Sequence, residues 1–103
     1  MGTLSKPETG TMRKIEQNML AAIRDLRDWQ EGNTFVEVAQ HVGNPYCAAT
    51  VYVHGNLIAE VDREGNIHPD HKTFEEWPAA TTASRLRALG IDARIVKGRA
   101  VIE

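Results

Sequence analysis

The sequence has little of several features that define large protein classes. It contains a single cysteine, Cys47, so an internal disulfide is excluded and a reducing compartment is favoured. Twelve basic and fourteen acidic residues give a formal net charge of −2, which argues against a general attraction to nucleic acid or anionic membranes. No apolar run is long enough to cross a bilayer, and residues 1–11 are too polar for a secretory signal. We therefore expect a cytoplasmic protein with no membrane partner.

The sequence also lacks the local signatures of common catalytic and nucleotide-binding sites. It has no Walker loop, GxGxxG, GxSxG elbow, HExxH or CxxC pair. We therefore predict that the protein is not an enzyme, that no residue is catalytic and that no cofactor or metal is bound.

The composition that remains is that of one small globular domain. Its hydrophobic fraction of 42% and charged fraction of 25% are ordinary, and 103 residues suit a single core. Residues 1–11 show no periodicity and are interpreted as a flexible leader, which leaves residues 12–103 as one α+β domain. From Met12 to Trp29, apolar residues recur at three- and four-residue steps, which predicts an amphipathic helix. The prediction places Glu16 on its charged face and a stop at Gly32-Asn33.

Two alternating apolar runs meet near the middle of the chain and predict a β-hairpin. A three-residue loop of 54–56 would pair Val53 with Leu57, Val51 with Ala59 and Ala49 with Val61, so that one face is wholly apolar. A two-residue loop of 55–56 would mix both faces, so the three-residue loop is the prediction. It leaves Tyr52 and His54 outside the core.

Other segments complete an antiparallel meander of three or four strands. Residues 34–42 alternate as its first strand, and 67–68 form a short strand after a turn. Residues 69–76 are interpreted as a polar loop, after which Thr81 or Thr82 would cap a short second helix. The chain would end in a second hairpin, with Lys97-Gly98 as its loop and Ile95 opposite Ala100.

Some polar residues could carry chemistry, but a structural interpretation is favoured for each. The segment 68–71, His-Pro-Asp-His, could begin a metal site, yet a solvated loop explains it better because no third ligand has a recognised spacing. Cys47 is expected to be a semi-buried thiol. Tyr52 and His54 could form a stacking platform for nucleic acid, unless Tyr52 packs beneath a helix or loop. Trp29 and Trp77 are expected to anchor helix ends to the sheet.

Polar residues at the ends of predicted elements are the candidate binding residues, because exposed groups there often serve binding. Roles in turns and helix caps explain most of these residues without a ligand. His54 and Arg85 are the two that such roles explain least. The set consists of Asn33, Thr34, Tyr52, His54, Asn56, Thr81, Thr82 and Arg85.

Three motifs together resemble a family of small proteins from tailed bacteriophages. They are Trp29 before Gly-Asn-Thr at 32–34, the His-Gly-Asn turn at 54–56, and Trp77 before a Thr-Thr helix at 81–90. The resemblance spans residues 15–90 and implies a product made in the cytoplasm of a bacterial host. It brings no activity, cofactor or catalytic residue with it. The segment 40–49 is longer here than in that family.

These observations predict a small non-enzymatic phage accessory protein that binds a host or defence protein. The alternative is a nucleic-acid or nucleotide binder that uses Tyr52, His54 and Arg85 together with the basic C-terminal hairpin. Exposed sheet edges and few helices also predict a homodimer.

Overall fold

The computed structural model describes residues 13–38 and 47–103, which form three helices and seven strands. In chain order these elements are α1 (Lys14–Arg24), β1 (Trp29–Glu31), β2 (Thr34–Val38), β3 (Cys47–Val53), β4 (Asn56–Asp62), β5 (Ile67–Pro69), α2 (His71–Glu76), α3 (Ala80–Ala88), β6 (Ala93–Val96) and β7 (Arg99–Ile102). The predicted α+β class is confirmed. The leader predicted at 1–11, and most of the segment 40–49, lie outside the described residues.

A five-stranded antiparallel sheet in the order β1 to β5 forms the centre of the fold, one strand more than the largest number predicted. One face of the sheet supplies much of the core, including Val36, Val51 and Val61. Residues of the three helices and of the β6–β7 hairpin pack on that face, among them Met19, Phe74 and Leu86. The domain therefore has one core on one side of the sheet.

The first helix ends at Arg24, well before the predicted stop at Gly32-Asn33. Leu26 adopts a left-handed conformation with φ +51°, and its amide and that of Arg27 donate to the carbonyls of residues 23 and 22. This is the Schellman arrangement, here formed without glycine. Gly32-Asn33 is instead the turn between β1 and β2, so the prediction that it stops the helix is wrong and Trp29 belongs to a strand.

The central hairpin has a two-residue loop, His54-Gly55, with φ values of +53° and +81°. Both φ values are positive, as in a type I′ turn, whose backbone twist matches the right-handed twist of the flanking strands. Val53 therefore lies opposite Asn56, and the predicted pair with Leu57 is wrong.

A bulge in β4 restores the rest of the predicted register. Tyr52 lies opposite Leu57 and Val51 opposite Ala59, so Ile58 is an extra residue on its strand. The predicted pairing of Val51 with Ala59 is thereby confirmed, as is that of residue 49 with residue 61. Ile58 is buried in the core, whereas Leu57, predicted for the apolar face, is only half-buried.

The segment predicted as a polar loop, 69–76, contains helix α2. Asp70 caps this helix, because its carboxylate accepts a 3.0 Å hydrogen bond from the Thr73 amide. Phe74 is buried one turn later, which fixes the helix on the core. Trp77 follows the helix and is 59% exposed, so its predicted anchoring role is wrong.

The second predicted helix is α3, but its N-cap is Ala79, with no side-chain cap. Thr81 and Thr82 lie inside the first turn, so neither caps the helix. The C-terminal hairpin agrees with its prediction, because Ile95 pairs with Ala100 and the loop is Lys97-Gly98. Within residues 13–38 and 47–103, no helix has the length and apolar character needed to cross a membrane.

Candidate functional site

The structure divides most of the predicted binding residues between the interior and one surface. Three of them join the buried polar cluster, which we define as Glu16, Asn33, Thr34, Ser84 and Arg85. Asn33 and Ser84 are half-buried, and the other three are buried. Tyr52 belongs to the outer face, the side of the sheet away from the core. The outer face is defined by Gln30, Phe35, Glu37, Thr50, Tyr52, Leu57 and Glu60.

Arg85 is the centre of the buried polar cluster and is only 3% exposed. Its Nη1 donates to Glu16 Oε2 at 2.6 Å, and its Nε donates to Thr34 Oγ1 at 2.9 Å. Its Nη2 lies 3.5 Å from Asn33 Oδ1, which also accepts a 2.8 Å hydrogen bond from the Thr34 hydroxyl. The guanidinium thus connects α3 with α1 and with the β1–β2 turn.

Glu16 is 2% exposed, so its predicted place on the charged face of the helix is wrong. Burial raises the pKa of Glu16, but hydrogen bonds from Ser84 and Arg85 outweigh burial and hold that pKa below its ordinary value. The carboxylate is therefore ionised at neutral pH and balances the charge of Arg85.

The buried polar cluster explains three predicted binding residues by internal contacts. Arg85 donates to Thr34 and to Glu16, and the Thr34 hydroxyl donates to Asn33, so a ligand could reach Arg85 or Thr34 only if the interior opened. Thr82 is also buried, in the first turn of α3. That these residues bind a ligand stays a prediction. The structure shows that Arg85 and Thr34 connect α3 with α1 and β2.

A depression of about 510 Å³ lies at one end of the outer face. Its lining residues come from the β1–β2 and β3–β4 hairpins and are Gln30, Gly32, Asn33, Phe35, Tyr52, His54 and Gly55. The rings of Phe35 and Tyr52 are 5.6 Å apart and inclined by 30°. The Tyr52 hydroxyl lies 3.4 Å from Glu37 Oε1. An aromatic surface with a carboxylate beside it is therefore open to solvent.

The two hairpin turns beside the depression are joined by the backbone. The His54 amide donates a 2.8 Å hydrogen bond to the Asn33 carbonyl. His54 is exposed at the tip of its turn, and Tyr52 points away from the core, as predicted. Asn56 is exposed next to this turn, while Thr81 lies half-buried on α3. The structure thus brings three of the predicted binding residues, Asn33, Tyr52 and His54, together around one depression.

Two residues of the His-Pro-Asp-His segment at 68–71 make contacts within the protein. His68 Nε2 lies 2.9 Å from Asp62 Oδ2, and Asp70 caps α2. The hydrogen bond with His68, together with backbone donors in the turn, lowers the pKa of Asp62 to about 2. Among residues 13–38 and 47–103, no three His, Cys, Asp or Glu side chains are grouped as a metal site would need.

Cys47 is a buried free thiol at the start of β3. Burial, with a smaller effect of Glu60, raises the pKa of Cys47, so the reactive thiolate is scarce at neutral pH. The predicted semi-buried thiol is thus more deeply buried than expected.

Sequence reasoning missed two residues that matter to the site. Glu16 lies three positions before Met19, and this spacing places it on the apolar stripe of α1; that was the available signal. Phe35 is absent from the predicted binding residues, yet it forms the ring pair with Tyr52. Its signal is the alternation of β2, which puts Phe35 on the side opposite Val36.

Comparison with known protein families places the chain beside a bacteriophage family. A family model described as the Kyanoviridae Gp96 protein matches residues 12–102. No curated protein and no solved structure matches the chain.

Proposed function

The chain belongs to the Kyanoviridae Gp96 family of bacteriophage proteins, and on this basis we propose that it is a small non-enzymatic accessory protein that binds a host or defence protein in the cytoplasm of the infected cell. The proposed contact surface is the outer face. The observation that carries the proposal is that Phe35, Tyr52 and Leu57 cluster there, outside the core and without packing against it. Aromatic residues on an open surface are typical anchors of protein interfaces.

The charges of the sheet favour a protein over a nucleic acid at this face. The five strands of the sheet contain four acidic residues and no Lys or Arg. Arg85, which the nucleic-acid alternative would use, is buried and paired with Glu16. Phosphate binding draws its affinity from accessible cations, and the outer face offers none on its strands.

Site-specific photo-crosslinking tests the proposal. A benzoylphenylalanine placed at position 35 should form an adduct with a host protein during infection, and Tyr52→Ser in the same chain should reduce that adduct strongly. The matched control carries the same crosslinker in place of Val96, which is exposed on the β6–β7 hairpin. The control should not form the adduct.

The salt dependence and the chemistry of the adduct separate the alternatives. A protein interface with apolar anchors should survive a wash at about 0.5 M salt, where exposed charges are largely screened. An adduct that contains nucleic acid would support the alternative instead. An adduct formed equally from position 96, or one indifferent to Tyr52→Ser, would refute the outer face as the contact surface.

The predicted homodimer stays a prediction. The strands at the two edges of the sheet, β1 and β5, are three residues each, and β5 ends in Pro69. Short edges and proline limit pairing with another sheet. Sedimentation equilibrium at high micromolar concentration should therefore distinguish a dimer formed through another surface from an 11.5 kDa monomer.

A further inference from the structure

We propose that the outer face receives an arginine side chain of its protein partner, with the guanidinium over the Phe35 and Tyr52 rings and paired with Glu37. This inference rests on the proposed function and specifies the chemistry of the partner. It depends on the charge of the sheet, the geometry of the ring pair, and the position of one carboxylate.

The charge of the outer face calls for a cation. Of the four acidic residues on the sheet strands, Asp62 already pairs with His68 at 2.9 Å. Among the ion pairs formed within the described residues, none includes Glu37 or Glu60. Arg85, which reaches Asn33 at the rim of the depression, is neutralised by Glu16. A partner with a positive side chain would complement this surface.

The geometry favours a planar cation. The Phe35 and Tyr52 rings, with centroids 5.6 Å apart and planes inclined by 30°, both line an open depression. Cations are attracted to the faces of aromatic rings, and a guanidinium can stack flat on them. An ammonium group is more strongly hydrated and has no plane to stack, so lysine would gain less.

Glu37 supplies the polar end of the proposed arginine site. Its carboxylate lies 3.4 Å from the Tyr52 hydroxyl, at the edge of the ring pair. A guanidinium that stacks on Tyr52 can direct its N–H groups to this carboxylate, and such charge-assisted bonds are stronger than neutral ones. Gln30, exposed at the rim, adds an amide oxygen that can accept a further N–H.

The test is an NMR titration of the full ¹⁵N-labelled chain with three short peptides. The peptides are acetylated and amidated and differ only at the central residue, which is arginine, lysine or citrulline. We expect the arginine peptide to shift the amides of residues 35, 37 and 52 at millimolar concentration. It should bind about tenfold more tightly than the citrulline peptide, as one charge-assisted pair would give.

Two charge-removing variants complete the experiment. Glu37→Gln should lower the affinity for the arginine peptide to that for citrulline. Glu75→Gln removes the same charge from the exposed surface of α2 and should leave the preference unchanged. Equal binding of arginine and lysine, equal loss in both variants, or shifts confined to other residues would each overturn the inference, as would the absence of binding.

The inference and the proposed function can fail separately. If the host-protein adduct depends on Tyr52 but not on Glu37, the outer face remains the contact surface and the arginine occupant is wrong. If no host adduct forms, the proposed function fails whatever the peptides show.

Discussion

Arg85 and Glu16 are separated by 69 positions in the sequence, yet their side chains meet at 2.6 Å in the interior. Removing the charge of either leaves the other buried without a counter-charge. Glu16→Gln is therefore expected to lower the free energy of unfolding by about 3–5 kcal/mol, measured by urea denaturation at pH 7. Glu75→Gln, an exposed control, should change it by less than about 0.5 kcal/mol.

A double variant tests whether the pair acts as a unit. Glu16→Leu combined with Arg85→Met replaces both charges with apolar groups of similar size, and such replacements are often close to neutral. The combined loss of stability should be clearly smaller than the sum of the two single losses. Losses that add to within about 0.5 kcal/mol would contradict the coupling.

Alanine substitutions of Leu57 and Ile58, two adjacent apolar residues of equal size, test the bulge in β4. Ile58 is buried in the core, whereas Leu57 is half-buried on the outer face. Ile58→Ala should cost about 2–5 kcal/mol and Leu57→Ala about 1 kcal/mol or less. A larger loss for Leu57→Ala would indicate the unbulged register, in which Leu57 faces the core.

The His54 turn predicts opposite effects for two substitutions at one position. His54 has φ +53°, a conformation that asparagine tolerates and β-branched residues resist. His54→Asn should raise the midpoint of thermal unfolding, with a gain of about 0.5 kcal/mol, and His54→Val should lower stability by about 1 kcal/mol or more. Stability that is equal in the two variants would contradict the left-handed turn.

Asp62 predicts a pH dependence whose sign follows from its pKa. Because the hydrogen bond with His68 lowers that pKa from 3.8 to about 2, ionised Asp62 stabilises the folded chain above its unfolded-state pKa. This contribution is lost as the pH falls from about 4 towards 2. An NMR titration should show the pKa of Asp62 rising in His68→Ala and staying low in His54→Ala. No rise in the first variant would contradict His68 as the main cause.

Strand pairing was predicted correctly in the hairpin whose turn position is indicated by a glycine. Lys97-Gly98 set the loop of the C-terminal hairpin, and alternation then set its register. Gly32-Asn33 misled the prediction, because the same two residues can end a helix or turn a hairpin. Leu26 took the left-handed position that glycine usually fills, and no propensity rule indicates that.

Two further features depended on contacts that a linear pattern does not record. Leu57 and Ile58 are both apolar, so the alternation could not show that Ile58 is an extra residue in the strand. The ion pair of Glu16 with Arg85 joins two helices that are far apart in the sequence. The helical spacing of Glu16 is its only signal in the local sequence. The candidate site was predicted in part, because the position of Tyr52 and His54 outside the core follows from the hairpin alone.

The hydrogen bond from the His54 amide to the Asn33 carbonyl has a kinetic consequence for any partner. It joins the two turns to each other, and Asn33 connects them to the core through Arg85. A partner would therefore meet a surface that needs little reordering, which spares the roughly 0.5–1.5 kcal/mol that each immobilised side chain can cost. Association should then proceed in a single kinetic phase, at the roughly 10⁵–10⁷ M⁻¹s⁻¹ typical of preformed protein surfaces.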